Sequence, residues 1–192
     1  MFRSLFGGKK GRRPSSSEAS GADESVRSAR VGDVVVISGF SPSLEDAYVV
    51  TEKINRYESS FGKWYDLVGS DGDRPIAIEW SEDGGLTMFV CTQESPMALS
   101  AVGLNNDELV RMDQEHSLDN FLEYEGERYL YSNSYEVFRF EDNRDEGEGF
   151  YLWEFFTSAW DKTIAVVKWE GMPFEVYASE ALSPDLVSVF KK

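Results

Sequence analysis

The chain has 192 residues, 41% of them hydrophobic and 14% aromatic, with a formal net charge of -16. This much apolar material can build a core, which excludes wholesale disorder. So acidic a surface repels phosphates, which excludes nucleic-acid binding by the body of the protein.

The charge is unevenly placed. Residues 1–30 carry Arg3, Lys9, Lys10, Arg12, Arg13, Arg27 and Arg30 against Glu18, Asp23 and Glu24, a surplus of +4 that leaves -20 on the remainder. The acidity reads as solubility, as a docking surface for a basic protein partner, or as salt adaptation. A single cysteine, Cys91, cannot close an intramolecular disulfide, so a reducing, cytoplasmic setting is expected. No stretch approaches the ~20 apolar residues that span a bilayer. The N-terminus does not read as a signal peptide, because its apolar part is short and its basic residues mostly follow it.

The chain opens MFRSLFGGKKGRR. Phe2, Leu5 and Phe6 share one side of a short helical turn with Met1, and Arg3, Lys9, Lys10, Arg12 and Arg13 surround or follow them. Each large apolar side chain is worth ~1.5–3 kcal/mol on burial, and each cation about 1 kcal/mol beside an anionic leaflet. Three readings follow: a reversible anchor on the inner face of the cell membrane, a segment that docks in a groove of a protein partner, or a solvated start. Residues 14–30 are Ser, Ala, Gly and charge with a single Val, which reads as a flexible tether.

From Val31 the pattern is strand after short strand. VVVIS, AYVVTEKINRY, GKWYDLVG, IAIEW and LTMFVCTQ are divided by glycine turns, among them Asp71-Gly72 and Asp83-Gly84. Residues 96–123 form a connector with one expected helix, capped at Asn106 or Asp107 and apolar at Leu109, Val110 and Met112. Strands return through the aromatic stretch GERYLYSNSYEVFRFED, then FYLWEFFTS, TIAVVKW, FEVYASEAL and LVSVF.

Trp64 and Trp80 lie 16 apart, as do Trp153 and Trp169, and the two pairs are offset by 89 residues. WYDL corresponds to WEFF and AIEW to VVKW. The spacing predicts a duplicated meander in which a tryptophan of one strand packs near a tryptophan of the next. The expected fold is mainly β: two similar antiparallel β units, as a sandwich or small barrels, over about 31–95 and 124–192. A short helical connector joins them and a flexible N-terminal arm precedes them. The four tryptophans are expected in the core or on half-buried sheet; the alternative is an aromatic ligand cleft.

No reactive constellation stands out. His116 is the one histidine and sits in a polar connector, far in sequence from Cys91, which reads as a small buried strand residue. One His and one Cys make no zinc set. The acidic turn 141–149 lacks the calcium-loop spacing, and no phosphate-binding glycine motif follows a strand. No metal, cofactor or catalytic residue is therefore expected.

VGDVVVISG, AYVVTEKINRYESSFGKWYDLVG and IAIEW, with the later YEGERYLYSNSYEVFRF and IAVVKWEGMPFEVYASEALSPDLVSV, resemble the bacterial domain of unknown function 4178 over about residues 31–190. The short F-x-x-L-F-G-x-K-K head is also familiar there. The resemblance implies an accessory role, near membrane-stress proteins similar to phage-shock protein A, and brings no catalytic residues. The expected function is a non-enzymatic adaptor whose acidic body binds a protein and whose arm touches a membrane or that partner. The alternative is a small-ligand binder using the tryptophans.

Overall fold

A computed structural model describes residues 25–41, 44–142 and 144–192. The N-terminal head and most of the tether lie outside the described residues, so the sites expected at Phe2, Arg3, Leu5, Phe6, Lys9, Lys10, Arg12 and Arg13 do too.

The chain is mainly β and antiparallel. The first half carries β1 (Val34–Ser38), β2 (Asp46–Ser59), β3 (Gly62–Asp71), β4 (Arg74–Ser81) and β5 (Thr87–Cys91). A 3-10 turn over Leu99–Val102 and helix α1 (Asn106–Glu115) follow. The second half carries β6 (Phe121–Tyr124), β7 (Glu127–Glu141), β8 (Glu148–Phe156), β9 (Lys162–Trp169), β10 (Phe174–Ala181) and β11 (Val187–Phe190). The aspartate-glycine turns form as expected, with Gly72 at φ 63° and Gly84 at φ 77°.

The same plan is used twice. A short strand pairs with the first part of a long one, and a three-strand meander follows: β1, β2 and β3–β5, then β6, β7 and β8–β10. Each long strand changes partner midway. β2 pairs with β1 at residues 46–50 and with β7 at residues 55–59. β7 pairs with β6 at residues 127–130 and with β2 at residues 137–141. A β-bulge marks each switch, between Thr51 and Lys53 in β2 and between Tyr131 and Asn133 in β7. An extra residue flips the side-chain alternation. Val49 before the first bulge is buried in the first unit's core, whereas Tyr57, eight residues on, packs in a separate aromatic cluster.

Two units thus hold two private cores. The first is built on Ile37, Val49, Leu67, Ile78 and Trp80, the second on Tyr131, Trp153, Phe155, Ile164 and Val176. Between the units, β2–β7 and β5–β10 pairings complete a ring of eight strands, in the order β2, β3, β4, β5, β10, β9, β8, β7.

Two boundaries differ from the sequence reading. Val26, inside the expected tether, is 1% exposed in the first core, so the ordered body starts before Val31. β11 belongs to the first unit although it closes the chain: it pairs with β1, and Val189 is buried beside Val35. An apolar β1 would otherwise leave an open sheet edge over an unfinished core, and the last strand covers it. The second unit is closed instead by the connector. α1 is capped one residue earlier than expected, by Asn105, whose side chain accepts from Glu108 N–H while the Glu108 carboxylate accepts from Asn105 N–H. Leu109 and Met112 are buried, but Val110 faces solvent.

Gly69 stands where β3 passes the β2 bulge. A Cβ there would lie 2.2 Å from the Val50 carbonyl oxygen, inside any allowed contact. Gly69→Ala is expected to cost about 1–3 kcal/mol, the usual penalty of overpacking, read as a lower urea midpoint at unchanged slope. An unchanged midpoint would show that the bulge relaxes freely.

Candidate functional site

The ring encloses the site. Along β4, Ile76, Ile78 and Trp80 point into the first core, so the alternate residues Ala77 and Glu79 point the other way, into the ring. Leu67 of β3 packs in the same core and its neighbour Asp66 faces the ring. On β8, Phe155 lies in the second core and Glu154 faces the ring. Asp66 and Glu79 are cross-strand partners, and the Glu79 carboxylate feels the charges of both Glu154 and Asp66. Three acids contributed by both units therefore share one interior.

Each long strand supplies a tyrosine to an acid on the next strand. Tyr57 of β2 donates to Asp66 Oδ2 at 2.8 Å, and Asn55 Nδ2 donates to Oδ1 at 2.8 Å. Tyr135 of β7 donates to Glu154 Oε2 at 2.7 Å. A third acid, Glu175 of β10, receives Tyr177 OH at 3.1 Å and Trp169 Nε1 at 3.2 Å. Glu79 has no such donor among the described contacts.

The pKa shifts follow from this placement. Burial lifts Asp66 to about 6, against the hydrogen bonds from Tyr57 and Asn55. Burial lifts Glu79 further, to about 8, with Glu154 and Asp66 adding like-charge repulsion. Glu154 is raised by burial, and the Tyr135 hydrogen bond opposes the rise. Burial and the neighbouring acids push the Tyr57, Tyr135 and Tyr177 hydroxyls well above the ordinary tyrosine value. Glu79 nevertheless keeps accessible surface, while Asp66, Tyr135 and Glu154 are half-buried. The inside of the ring is its lumen, partly filled by the packed Val137, Phe150, Leu152 and Val167 cluster. An eight-stranded ring is of the size that holds packed side chains or one small ligand.

The tryptophans divide between two environments, and this corrects their expected packing. Trp64 stands opposite Ser81 and Trp80 opposite Tyr65, on adjacent rungs, so the two point to opposite faces. Trp153 opposes Val166 and Trp169 opposes Phe150, three residues apart, with the same result. No tryptophan of one strand stacks on the tryptophan of the next. Trp80 and Trp153 are buried in the private cores, Trp80 stacked on Tyr65 at 5.5 Å. Trp64 and Trp169 belong to the ring cluster: Trp64 stacks on Tyr57 at 5.4 Å, and Trp169 lies 4.5 Å from Phe150. The Arg139 guanidinium covers Trp169 at 4.5 Å and is held by Glu148 at 2.8 Å.

Sequence reasoning passed over Asp66, Glu79 and Glu154. The usable signal was the pattern I-E-W and W-E-F, a charged residue between large apolar ones on a strand, which is costly on any strand with two covered faces. Among the described residues no group of three or more His, Cys, Asp or Glu side chains is arranged to hold a metal ion. His116 caps α1 in the left-handed region, φ 44°, and its Nδ1 lies 3.2 Å from Tyr131 OH. Tyr131 in turn bonds Ser134, which donates to Asp113, as does Tyr151 at 2.7 Å. This chain pins the connector to β7 and β8, and His116 makes no contact with Ser134 that would resemble a nucleophile–base pair. Cys91 pairs with Ala77 across the sheet and senses the Glu79 charge, which puts its thiol on the lumen side; burial raises its pKa.

The chain matches no protein-family model, no curated protein and no solved structure. Among the described residues no helix is long and apolar enough to cross a membrane.

Glu79 ordinarily ionises near 4.5 but in the folded protein only at about 8. The folded state therefore holds an extra proton between those values. The stability tied to it is fully present below pH ~4.5 and is lost as pH rises through about 8. Glu79→Gln is expected to raise the urea midpoint at pH 8.5 and to flatten its decline between pH 5 and pH 8.5. Coincident profiles for the two proteins would remove the raised pKa. Tyr57→Phe removes a donor that favours ionised Asp66, so the Asp66 titration, followed by carboxyl NMR, should move above about 6.

Proposed function

We propose that the protein is a non-enzymatic binding protein whose lumen takes an organic cation, an alkylammonium or guanidinium group. The carrying observation is the arrangement of Asp66, Glu79 and Glu154 around one interior beside the faces of Tyr57, Trp64 and Tyr135. Aromatic faces attract cations, more strongly when water is displaced. Glu79 has like charges for neighbours and no hydrogen-bond donor among the described contacts, so a bound cation would relieve the strongest unfavourable term in the site. Two sources share this chemistry: a free amine, or a lysine or arginine side chain offered by a basic partner. The -20 carried by the body would draw either toward it and speed association with a basic protein. The adaptor role and the ligand-binding role then meet in one site.

A cation should drive protons off Glu79 and Asp66, so affinity should rise from pH 6 to pH 8.5. Butylammonium, arginine amide and a lysine-rich peptide are the probes. Binding is read from tryptophan fluorescence and from slower labelling of Cys91, the one thiol, by a maleimide. Glu79→Gln and Asp66→Asn should each weaken binding roughly tenfold, ~1.4 kcal/mol, close to the low end of the worth of a hydrogen bond to a charged group. Binding of the small amines alone marks a small-molecule receptor, and binding of the peptide alone an adaptor. If none of the probes protects Cys91 at any pH, the lumen is not a cation site.

A further inference from the structure

Among the described residues, the outer face of the first unit carries an apolar surface that is partly exposed, with Val34 and Val36 half-buried at its centre. β1 reads VVVIS: Val35 and Ile37 enter the core, so Val34 and Val36 face outward. In register with them stand Phe190 and Val50 on either side of Val34, and Ser188 and Tyr48 on either side of Val36. Phe190 is 59% exposed, Tyr48 57% and Val50 48%. A strand covered on one face should alternate with polar residues, whereas a run of β-branched residues is the pattern of a strand covered on both faces. Asp46 lies beside Tyr48 on this face, and Glu52, bonded to Ser70 at 2.6 Å, borders Val50. The surface is an apolar strip with acidic ends.

We infer that residues 1–13 of the same chain fold back and cover this strip, with Phe2, Leu5 and Phe6 on Val34, Val36 and Val50 and the cations of the head toward Asp46 and Glu52. Charge decides among occupants. A second copy would bring another body of -20 against the first, whereas the head carries Arg3, Lys9, Lys10, Arg12 and Arg13 and no acid. Its apolar residues lie within a few residues of its cations, as the strip's apolar residues lie within a few residues of Asp46 and Glu52. Reach is ample. The described chain starts at Ser25, and the turn it opens packs against β11: Lys191, next to Phe190, donates to the Ser28 carbonyl and lies 3.3 Å from Asp33. The residues between 13 and 25 can span ~36 Å at about 3.3 Å each, against ~10 Å for three strands side by side. Tethering supplies an effective concentration in the millimolar range, so a modest contact suffices. The docked head would be masked from any other surface until something displaces it.

The test uses the full chain with methyl-labelled valine. Contacts are expected by NMR between the Phe2, Leu5 and Phe6 side chains and the Val34, Val36 and Val50 methyls. They should vanish, with a shift of those methyls, in the Phe2→Ser, Leu5→Ser, Phe6→Ser variant. Val50→Lys should abolish them from the other side, while the Trp80 and Leu67 signals report that the core is intact. Three results would each overturn the inference. The methyls could be identical in wild type and triple variant. The contacts could appear only between differently labelled molecules, which assigns the strip to a second copy. Or the head signals could respond only to anionic phosphatidylglycerol vesicles while the valine methyls stay unchanged, which assigns the head to lipid.

Discussion

The pairing of β2 with β7 is the constraint on which the rest depends. Each of these strands is too long for its own unit, and each spends its first part on a private core and its second on the other unit. A straight strand could not do both, since one face would have to serve two interiors. The bulges at Thr51–Lys53 and Tyr131–Asn133 solve this by flipping the alternation at the crossover. Gly69 lets β3 follow the first bend at close range. The ring closes because both long strands turn in the same way and meet.

An acidic chain then places three of its carboxylates on the inner face of the ring, Asp66 and Glu154 half-buried and Glu79 with accessible surface. Tyr57 and Tyr135 meet part of that cost by donating to Asp66 and Glu154, the same device once in each unit. Glu79 has no equivalent and shows the larger upward shift of the two acids whose values are resolved. A core selected for stability alone would place an apolar residue there, as β4 does at Ile76 and Ile78. An electrostatically costly carboxylate beside the aromatic faces of Tyr57 and Trp64 suits the cationic occupant proposed above.

Much of the fold was legible in the sequence. Period-two runs such as VVVIS and IAIEW, the Asp-Gly turns and the break at residues 96–123 locate strands, hairpins and connector, because these are local properties of the chain. The duplication was legible as well, although its marker misled. Trp64 and Trp169 share the ring while Trp80 and Trp153 lie in separate cores, so equal spacing in sequence did not mean equal place in space. Hairpin register decides which face a tryptophan takes, and register is set by turn length and cross-strand packing. Asp66, Glu79 and Glu154 were illegible as a group: among 35 acidic residues nothing local separates a lumen carboxylate from a solvated one.

The sequence by itself determined the antiparallel β character, the two-unit plan, the helical connector and the separation of a basic head from a body of -20, since each rests on local pattern or on composition. Tertiary structure alone decided that β11 completes the first unit, that Val26 joins its core, and that the units close a ring with acids inside it. Those outcomes depend on contacts between residues as distant as Asn55 and Glu141, or Val34 and Phe190. No window of sequence contains both partners of such a pair, and the side a strand presents is settled only when its neighbours fix its register.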